Sequence, residues 1–175
     1  MRAEFMPKEQ NHTYEKLYYT LWELAGRYSG FCQFRAVGNS HDDRLIPMLE
    51  VGNGAQMIFC VAGIDGTQNL LPRLLIQMAE EYCRAYECGW QLEEFYEVKK
   101  LLDKIRICFL PLLNPDGYEI NQSGFSMIRN PIYRQMLRMQ SIPAKDFGYN
   151  ARGVDICHNF PTVHYIRSRM GEEPA

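Results

Sequence analysis

The stretch that most constrains the fold is an apolar run that leads through a glycine-containing turn into a long helical pattern. The run spans Met57 to Ala62, the turn reads Gly-Ile-Asp-Gly-Thr-Gln, and the helical pattern starts at Asn69. Active sites of α/β proteins are built on turns of this kind, at the carboxyl ends of strands. Asp65 and Gln68 lie three residues apart on the turn, which is the spacing of a pair of metal ligands.

Helical and strand-like patterns alternate along the rest of the chain. The predicted helices cover residues 13–28, 69–87, 91–103 and 126–140, and the predicted strands cover residues 31–37, 45–51, 55–62 and 105–113. Pro131 predicts a break near residue 130, and Asn114 to Gly117 predict a turn. The alternation predicts an α/β fold, a three-layer α/β/α arrangement with a mixed, mostly parallel central sheet whose first two strands form a hairpin.

Length and composition point to one domain, residues 1–175, with a sizeable apolar core. The chain has 175 residues, of which 46% are hydrophobic and 13% aromatic. Its formal net charge of −2 gives no indication of a nucleic acid or an anionic membrane as partner. Because no apolar run could span a bilayer and no leader-like segment opens the chain, we expect a cytoplasmic protein. The six cysteines are then expected to be free thiols.

Four segments, in order, resemble the M14 family of zinc carboxypeptidases across roughly residues 13–165. The segment 62–68 is similar to the family's first metal motif, Gly-Ile-His-Gly-x-Glu, and the segment 110–118 to its Pro-x-x-Asn-Pro-Asp-Gly-Tyr motif. The segment 150–161 is similar to Asn-x-x-Gly-Val-Asp-Leu-Asn-Arg-Asn-Phe-Pro, and residues 38–46 to an early hairpin. The resemblance implies the carboxypeptidase fold.

The resemblance also implies a catalytic chemistry. In the family, two His and one Glu hold a zinc ion, which lowers the pKa of bound water and polarises the scissile carbonyl. A separate Glu is the general base. Arg and Asn side chains bind the terminal carboxylate of the substrate, and another Arg stabilises the oxyanion.

This sequence departs from the family at the site positions. The two zinc-ligand positions hold Asp65 instead of His and Gln68 instead of Glu. The carboxylate-binding positions hold Cys157 and His158 instead of Asn and Arg, and a further basic position falls at Gly148. Two substituted ligands predict weak zinc binding or none, because an amide is a poorer ligand than a carboxylate. No catalytic residue is therefore assigned in this chain.

One site residue of the family is retained. Asp155 matches the carboxylate that orients the first His ligand in the family. If the fold holds, Asp155 should face Asp65, and two close carboxylates disfavour joint ionisation. We therefore expect either that one of them holds a proton with a raised pKa, or that a cation or a basic side chain lies between them, with His158 as a candidate.

The third ligand and the general base belong to a later part of the family's sequence. We therefore expect this chain to represent the front portion of the fold, an incomplete domain that lacks C-terminal strands. Such a portion would expose an apolar sheet edge, which predicts self-association.

Three functional readings follow from the resemblance. The first is a carboxypeptidase-like domain without peptidase activity, retained for binding or assembly, with a peptide or an anionic small molecule as ligand. The second is a zinc-dependent carboxypeptidase, acting on peptides or peptidoglycan peptides, with an altered or incomplete site. The third is an incomplete product of an ordinary family member. The substitutions at Asp65, Gln68, Gly148, Cys157 and His158 favour the first reading, because truncation would not explain them.

Overall fold

The computed structural model describes residues 13–92 and 96–160. Five helices are described there, together with short 3-10 turns at Phe125–Met127 and Ala144–Asp146. The helices are α1 (Tyr14–Arg27), α2 (Leu70–Cys88), α3 (Val98–Leu102), α4 (Pro115–Ser123) and α5 (Pro131–Arg138). The strands are β1 (Cys32–Asn39), β2 (Leu45–Val51), β3 (Gln56–Val61), β4 (Gln91–Leu92), β5 (Tyr96–Glu97) and β6 (Ile105–Leu110).

The main sheet is mixed and has the strand order β1-β2-β6-β3. The hairpin β1–β2 and the pair β2–β6 are antiparallel, and β3 runs parallel to β6. The α/β class and the mixed sheet are therefore confirmed. Parallel pairing is the minority among the described strands, because the early hairpin is joined to β6 in antiparallel register.

Helices α1, α2 and α3 share one core with one face of this sheet. Leu49, Val51, Ile107 and Phe109 are paired in register and point to that face, where they pack with the buried residues of the helices. The strand β6 is buried on both faces from Ile107 to Leu110, as its continuous apolar sequence predicts. Because β6 runs parallel to β3, with Leu110 opposite Val61, the turns that follow the two strands lie side by side.

The predicted helix limits are confirmed for α1 and α2 and are wrong for residues 91–103. Thr13 caps α1, since its side chain accepts a hydrogen bond from the amide of Lys16. The helix α3 starts only at Val98, after a small hairpin of β4 and β5. Lys100, in α3, donates to Glu97, in β5, across that boundary.

Two helices begin at a proline, and the sequence predicted one of these starts but not the other. Asn114 to Gly117 is not an isolated turn but the start of α4, with Pro115 in the first turn. The break near residue 130 is confirmed, because Asn130 caps α5, which begins at Pro131. In both cases an Asn precedes a Pro that needs no amide donor in the first helical turn.

A buried ion cluster joins the β1–β2 hairpin to α4. Arg44 is 3% exposed, and its guanidinium donates to Asp42 and Asp116, which are 2% and 0% exposed. The same guanidinium donates to the carbonyl of Met127. Arg44 is therefore ion-paired in the interior of the protein.

The cysteines are free, as predicted. Cys83 and Cys32 are buried neighbours in the helix-side core, and a hydrogen bond with Cys32, together with burial, raises the pKa of the Cys83 thiol. Within the described ranges, no helix combines the length and the apolar character needed to cross a lipid bilayer.

Candidate functional site

Three turns meet at the carboxyl ends of β3 and β6. The turn after β3 is tied to β6, because the amide of Ala62 donates to Leu110, and the amide of Asn114 donates to Gly63 at 2.7 Å. The third turn contains Gly148, whose carbonyl accepts a hydrogen bond from the amide of Gly66 at 2.9 Å. The family-like motifs are thus neighbours in space.

Glycines allow these turns to approach each other closely. A Cβ on Gly66 would lie 2.4 Å from the carbonyl carbon of Gly117, a backbone atom that cannot move aside. Gly63 has a φ of +63°, and a Cβ there would meet the Pro111 carbonyl oxygen at 2.7 Å. A side chain at either position would therefore separate the turns.

The side chain of Asn114 links the start of α4 to the turn at Gly148. The sequence predicted only a turn at residues 114–117 and did not predict this link. The Oδ1 of Asn114 accepts from the amide of Gly117 and so caps α4, while the Nδ2 donates to the Gly148 carbonyl at 3.1 Å. An Asn directly before a Pro is a recognisable start signal for a helix. The hydrogen bond from Asn114 to Gly148 joins distant parts of the chain, and no local sequence pattern predicts it.

Asn150 organises the loop that carries the last motif. Its Oδ1 accepts from the amides of Arg152 and Val154, and its own amide donates to the Val154 carbonyl. Gly153 adopts a φ of +74° within this loop, a conformation that favours glycine. The loop is thereby held in the position from which Asp155 enters the site.

A small recess lies at the meeting point of the three turns. Its volume is about 110 Å³, and its lining consists of Asp65, Thr67, Asp146, Gly148, Tyr149 and Asp155. The recess is therefore lined by carboxylates and by one position without a side chain. The structure brings Asp65, Gly148 and Asp155 together, as the sequence predicted, and it adds Thr67, Asp146 and Tyr149.

Asp65 is held by its own turn. Its Oδ1 accepts hydrogen bonds from the amide and from the hydroxyl of Thr67, both at 2.7 Å. Its backbone carbonyl accepts from the amide of Gln68. The carboxylate also packs against Gly148, where a Cβ would lie 2.5 Å from Oδ1.

Asp155 has a partner other than Asp65. Its Oδ2 lies 2.7 Å from Nδ1 of His158, and its Oδ1 accepts from the His158 amide. His158, the basic side chain considered from the sequence, is thus a partner of Asp155. Asp65 and Asp155 line the same recess, each bonded to a different neighbour.

Cys157 is suited to neither anion binding nor nucleophilic attack. Burial is the main factor that raises the pKa of its thiol, and the negative charges of Asp155 and Asp65 raise it further. A thiol with a raised pKa carries little thiolate at neutral pH, and the thiolate is the reactive form.

Substitution of Gly148 should reveal the packing between residues 148 and 65. We expect Gly148→Ala to cost about 1–3 kcal/mol of unfolding free energy, because the new Cβ overlaps the Asp65 carboxylate. In an Asp65→Ala background the same change should cost much less. The measurement is a double-mutant cycle by urea unfolding. Asp65→Asn is the matched control, since it keeps the bulk and should give no relief; equal costs in all three backgrounds would contradict the packing.

The described residues do not fit the zinc site that the resemblance implies. Within residues 13–92 and 96–160, no three His, Cys, Asp or Glu side chains are grouped so that they could hold a metal ion. A tetrahedral catalytic site needs three protein ligands and an open position. Here Asp65 and Asp155 have separate hydrogen-bond partners, and Gln68, a neutral amide, is not among the residues that line the recess. No catalytic step through zinc follows from this arrangement.

Comparison with known proteins identifies the family. The model of a family described as zinc carboxypeptidase, Peptidase M14, matches residues 17–173. The chain belongs to this family. The resemblance noted in the sequence is thereby confirmed.

Named relatives in the zinc carboxypeptidase family are moderately similar. The chain is 25% identical to the human carboxypeptidase N catalytic chain over 178 residues, which cover 93% of this chain and 34% of that protein. It is 34% identical to carboxypeptidase D of Anas platyrhynchos over 102 residues, 54% of this chain and 7% of that protein. The chain thus spans about a third of the length of the carboxypeptidase N chain.

A solved structure supports the fold independently. Bovine thrombin-activatable fibrinolysis inhibitor, crystallised with tick carboxypeptidase inhibitor, superposes with a TM-score of 0.60 at 18% identity. The match covers 89% of this chain and 45% of that one. At this identity the likeness concerns the fold, and it leaves the activity of this chain to be tested.

Proposed function

We propose that this member of the zinc carboxypeptidase family has impaired or no zinc-dependent peptidase activity. The observation that carries the proposal is the state of the first ligand position. Asp65 stands where the family has His, and its Oδ1 is engaged by both donors of Thr67. Metal coordination through that oxygen would have to displace two short hydrogen bonds.

The electrostatics of the recess support the same proposal. A carboxypeptidase must hold the terminal carboxylate of its substrate, and Arg matches that group well. Here the matching positions hold Gly148, Cys157 and His158, and His158 is already engaged by Asp155. The carboxylates of Asp65, Asp146 and Asp155 line the recess, so an incoming carboxylate meets like charge. The recess therefore disfavours the anionic small ligand considered from sequence, and a peptide would have to bind through other groups.

Zinc binding and hydrolysis are the direct tests. We expect calorimetric titration to show no stoichiometric zinc site of micromolar or tighter affinity. We also expect no chelator-sensitive release of C-terminal residues from peptides with a free carboxylate. Stoichiometric zinc bound at micromolar affinity, together with hydrolysis that a chelator abolishes, would establish the altered carboxypeptidase instead.

A paired substitution sharpens the zinc test. Asp65→His with Gln68→Glu restores the family's ligand types on the same turn and should tighten zinc binding by more than about tenfold. Asp103→His with Gln135→Glu makes the same change of composition at exposed positions and should leave zinc binding unaltered. If both pairs behave alike, the ligand positions have been assigned wrongly.

A further inference from the structure

Two cysteines meet inside the helix-side core. Cys32 is the first residue of β1 and is 2% exposed, and Cys83 lies in the C-terminal half of α2 and is 0% exposed. Both belong to the same buried apolar cluster, and their thiols are within hydrogen-bond reach of each other. Both are free thiols in the structure. The pair therefore connects a strand and a helix that are distant in the chain.

Contacts on both sides of this pair hold the strand and the helix in place. One helical turn after Cys83, the ring of Tyr86 stacks on Phe31, with 3.9 Å between the ring centroids. One turn before Cys83, Glu80 pairs with Arg27, at the end of α1, at 3.6 Å. Positions three apart on a helix lie on one face, so this face of α2 packs against the segment that leads from α1 into β1. Packing therefore fixes the backbone positions of the two cysteines.

The thiol of Cys83 is held in its neutral form. The hydrogen bond with Cys32 and burial raise the pKa of the Cys83 thiol, and the charges of Glu80 and Glu87 raise this pKa further. The thiolate is the nucleophile in disulfide exchange, so the pair is unreactive once the core has closed. A covalent bond between the two sulfurs must therefore form while α2 and β1 are still coming together.

We propose that Cys32 and Cys83 are joined by a disulfide when the protein folds in an oxidising medium. A disulfide needs a sulfur–sulfur distance of about 2.05 Å, which thiols in hydrogen-bond contact reach by small rotations of their side chains.

The oxidant is a small-molecule disulfide such as oxidised glutathione. The thiolate of one cysteine attacks it and releases one small thiolate, and the thiolate of the second cysteine then attacks the mixed disulfide and releases the other. The two protein thiols are oxidised, and the small disulfide is reduced to two thiols. The protons of the protein thiols pass to the released thiolates.

Such a disulfide would stabilise the fold. The residues between the two cysteines include β2, β3 and the turn that carries Asp65. Cross-linking the ends of a long loop lowers the entropy of the unfolded chain. The hydrogen bond that the disulfide replaces is the one between the two thiols. The bond also anchors α2, the helix that follows the Asp65 turn, to the start of β1.

Oxidative refolding tests the proposal. The protein is refolded from urea in a glutathione redox buffer, alkylated, and mapped by mass spectrometry of its peptides. We expect a peptide pair linked through Cys32 and Cys83, lighter by two hydrogens than the reduced peptides. We also expect the oxidised protein to unfold at a urea concentration roughly 1–2 M above that of the protein refolded with dithiothreitol.

Variants assign this difference between the two buffers to the pair. Cys83→Ala should abolish the difference, because the linkage cannot form. Cys108→Ala is the matched control and should keep it, since Cys108 is also 0% exposed but lies in a different apolar cluster. Each variant is compared with itself in two buffers, so the cost of losing a buried side chain cancels. If Cys83→Ala does not fold, Cys32→Ala takes its place, with the same expected loss.

Three results would overturn the proposal. The first is alkylation of both Cys32 and Cys83 after oxidative refolding, with no linked peptide. The second is a linked protein that unfolds at a lower urea concentration than the reduced protein, because the bond would then distort the packing of α2 on β1. The third is loss of the difference between the buffers in Cys108→Ala, which would assign the stabilisation to another thiol.

Discussion

Replacing Arg44 with methionine should destabilise the protein by about 3–5 kcal/mol. The substitution leaves two carboxylates, Asp42 and Asp116, in the interior without their cation. It also removes the hydrogen bond of 2.6 Å that the Arg44 guanidinium donates to the carbonyl of Met127. The measurement is urea-induced unfolding followed by circular dichroism.

The reason for this large effect is the position of the cluster between distant parts of the chain. Asp116 also accepts from the hydroxyl of Ser40 and from the amide of Asp42. Asp42 in turn accepts from the amides of Arg129 and Asn130, at 2.7 and 2.8 Å. The hairpin, the start of α4 and the approach to α5 thus share one network, and loss of its cation affects all three.

Two further variants define the effect of Arg44. Arg84→Met breaks an exposed i,i+4 pair with Glu80 and should change stability by no more than about 0.5 kcal/mol. Arg44→Met combined with Asp42→Asn and Asp116→Asn should recover part of the loss, because the unpaired buried charge is removed. A loss for Arg44→Met as small as that for Arg84→Met would show that the cluster is not buried as described.

Replacing Gly66 with alanine should have the second large effect, a loss of roughly 3 kcal/mol or more. The added Cβ would lie 2.4–2.8 Å from backbone atoms of Gly117, so one of the two turns must move. Movement would strain the hydrogen bond from the Gly66 amide to Gly148 and would open the recess. The unfolding midpoint in urea measures the loss.

Gly26→Ala is the control for this substitution. Gly26 lies within α1, and a Cβ there meets nothing within 4 Å. Alanine in a helix should therefore stabilise the protein by about 0.5–1 kcal/mol. Opposite signs for the two glycines are the expected result. A neutral Gly66→Ala would mean that the turns after β3 and β6 are not in contact.

Local patterns sufficed to locate most elements of the fold. The helical apolar period over residues 13–28 predicted α1, and the largely apolar run at residues 105–113 predicted the strand β6. The predictions of secondary structure failed where one short segment fitted two kinds of structure. Residues 91–103 contain enough apolar spacing for a helix, yet the structure makes a small hairpin before Val98. At Asn114 the turn signal was also a helix cap, and the sequence reading stopped at the turn.

The candidate site was predictable in its membership and less so in its contacts. The positions of Asp65, Gly148 and Asp155 followed from the order of the family motifs, and all three line one recess. Thr67 donates two hydrogen bonds to Asp65, but nothing in the sequence had indicated a role for Thr67. The packing of Asp65 against Gly148 joins residues 83 positions apart in number, and only the folded chain sets that distance.

The sequence by itself determined the family, the chemical identity of the substituted site residues and the succession of strands and helices, because these depend on local patterns and ordered motifs. The tertiary structure decided which groups are neighbours: Asp155 with His158, Asp65 with Gly148, and Arg44 with two buried carboxylates. It also decided that β3 is an edge of the described sheet. Side-chain pairing and strand order depend on long-range packing, because the residues of a strand do not specify which strand pairs with it.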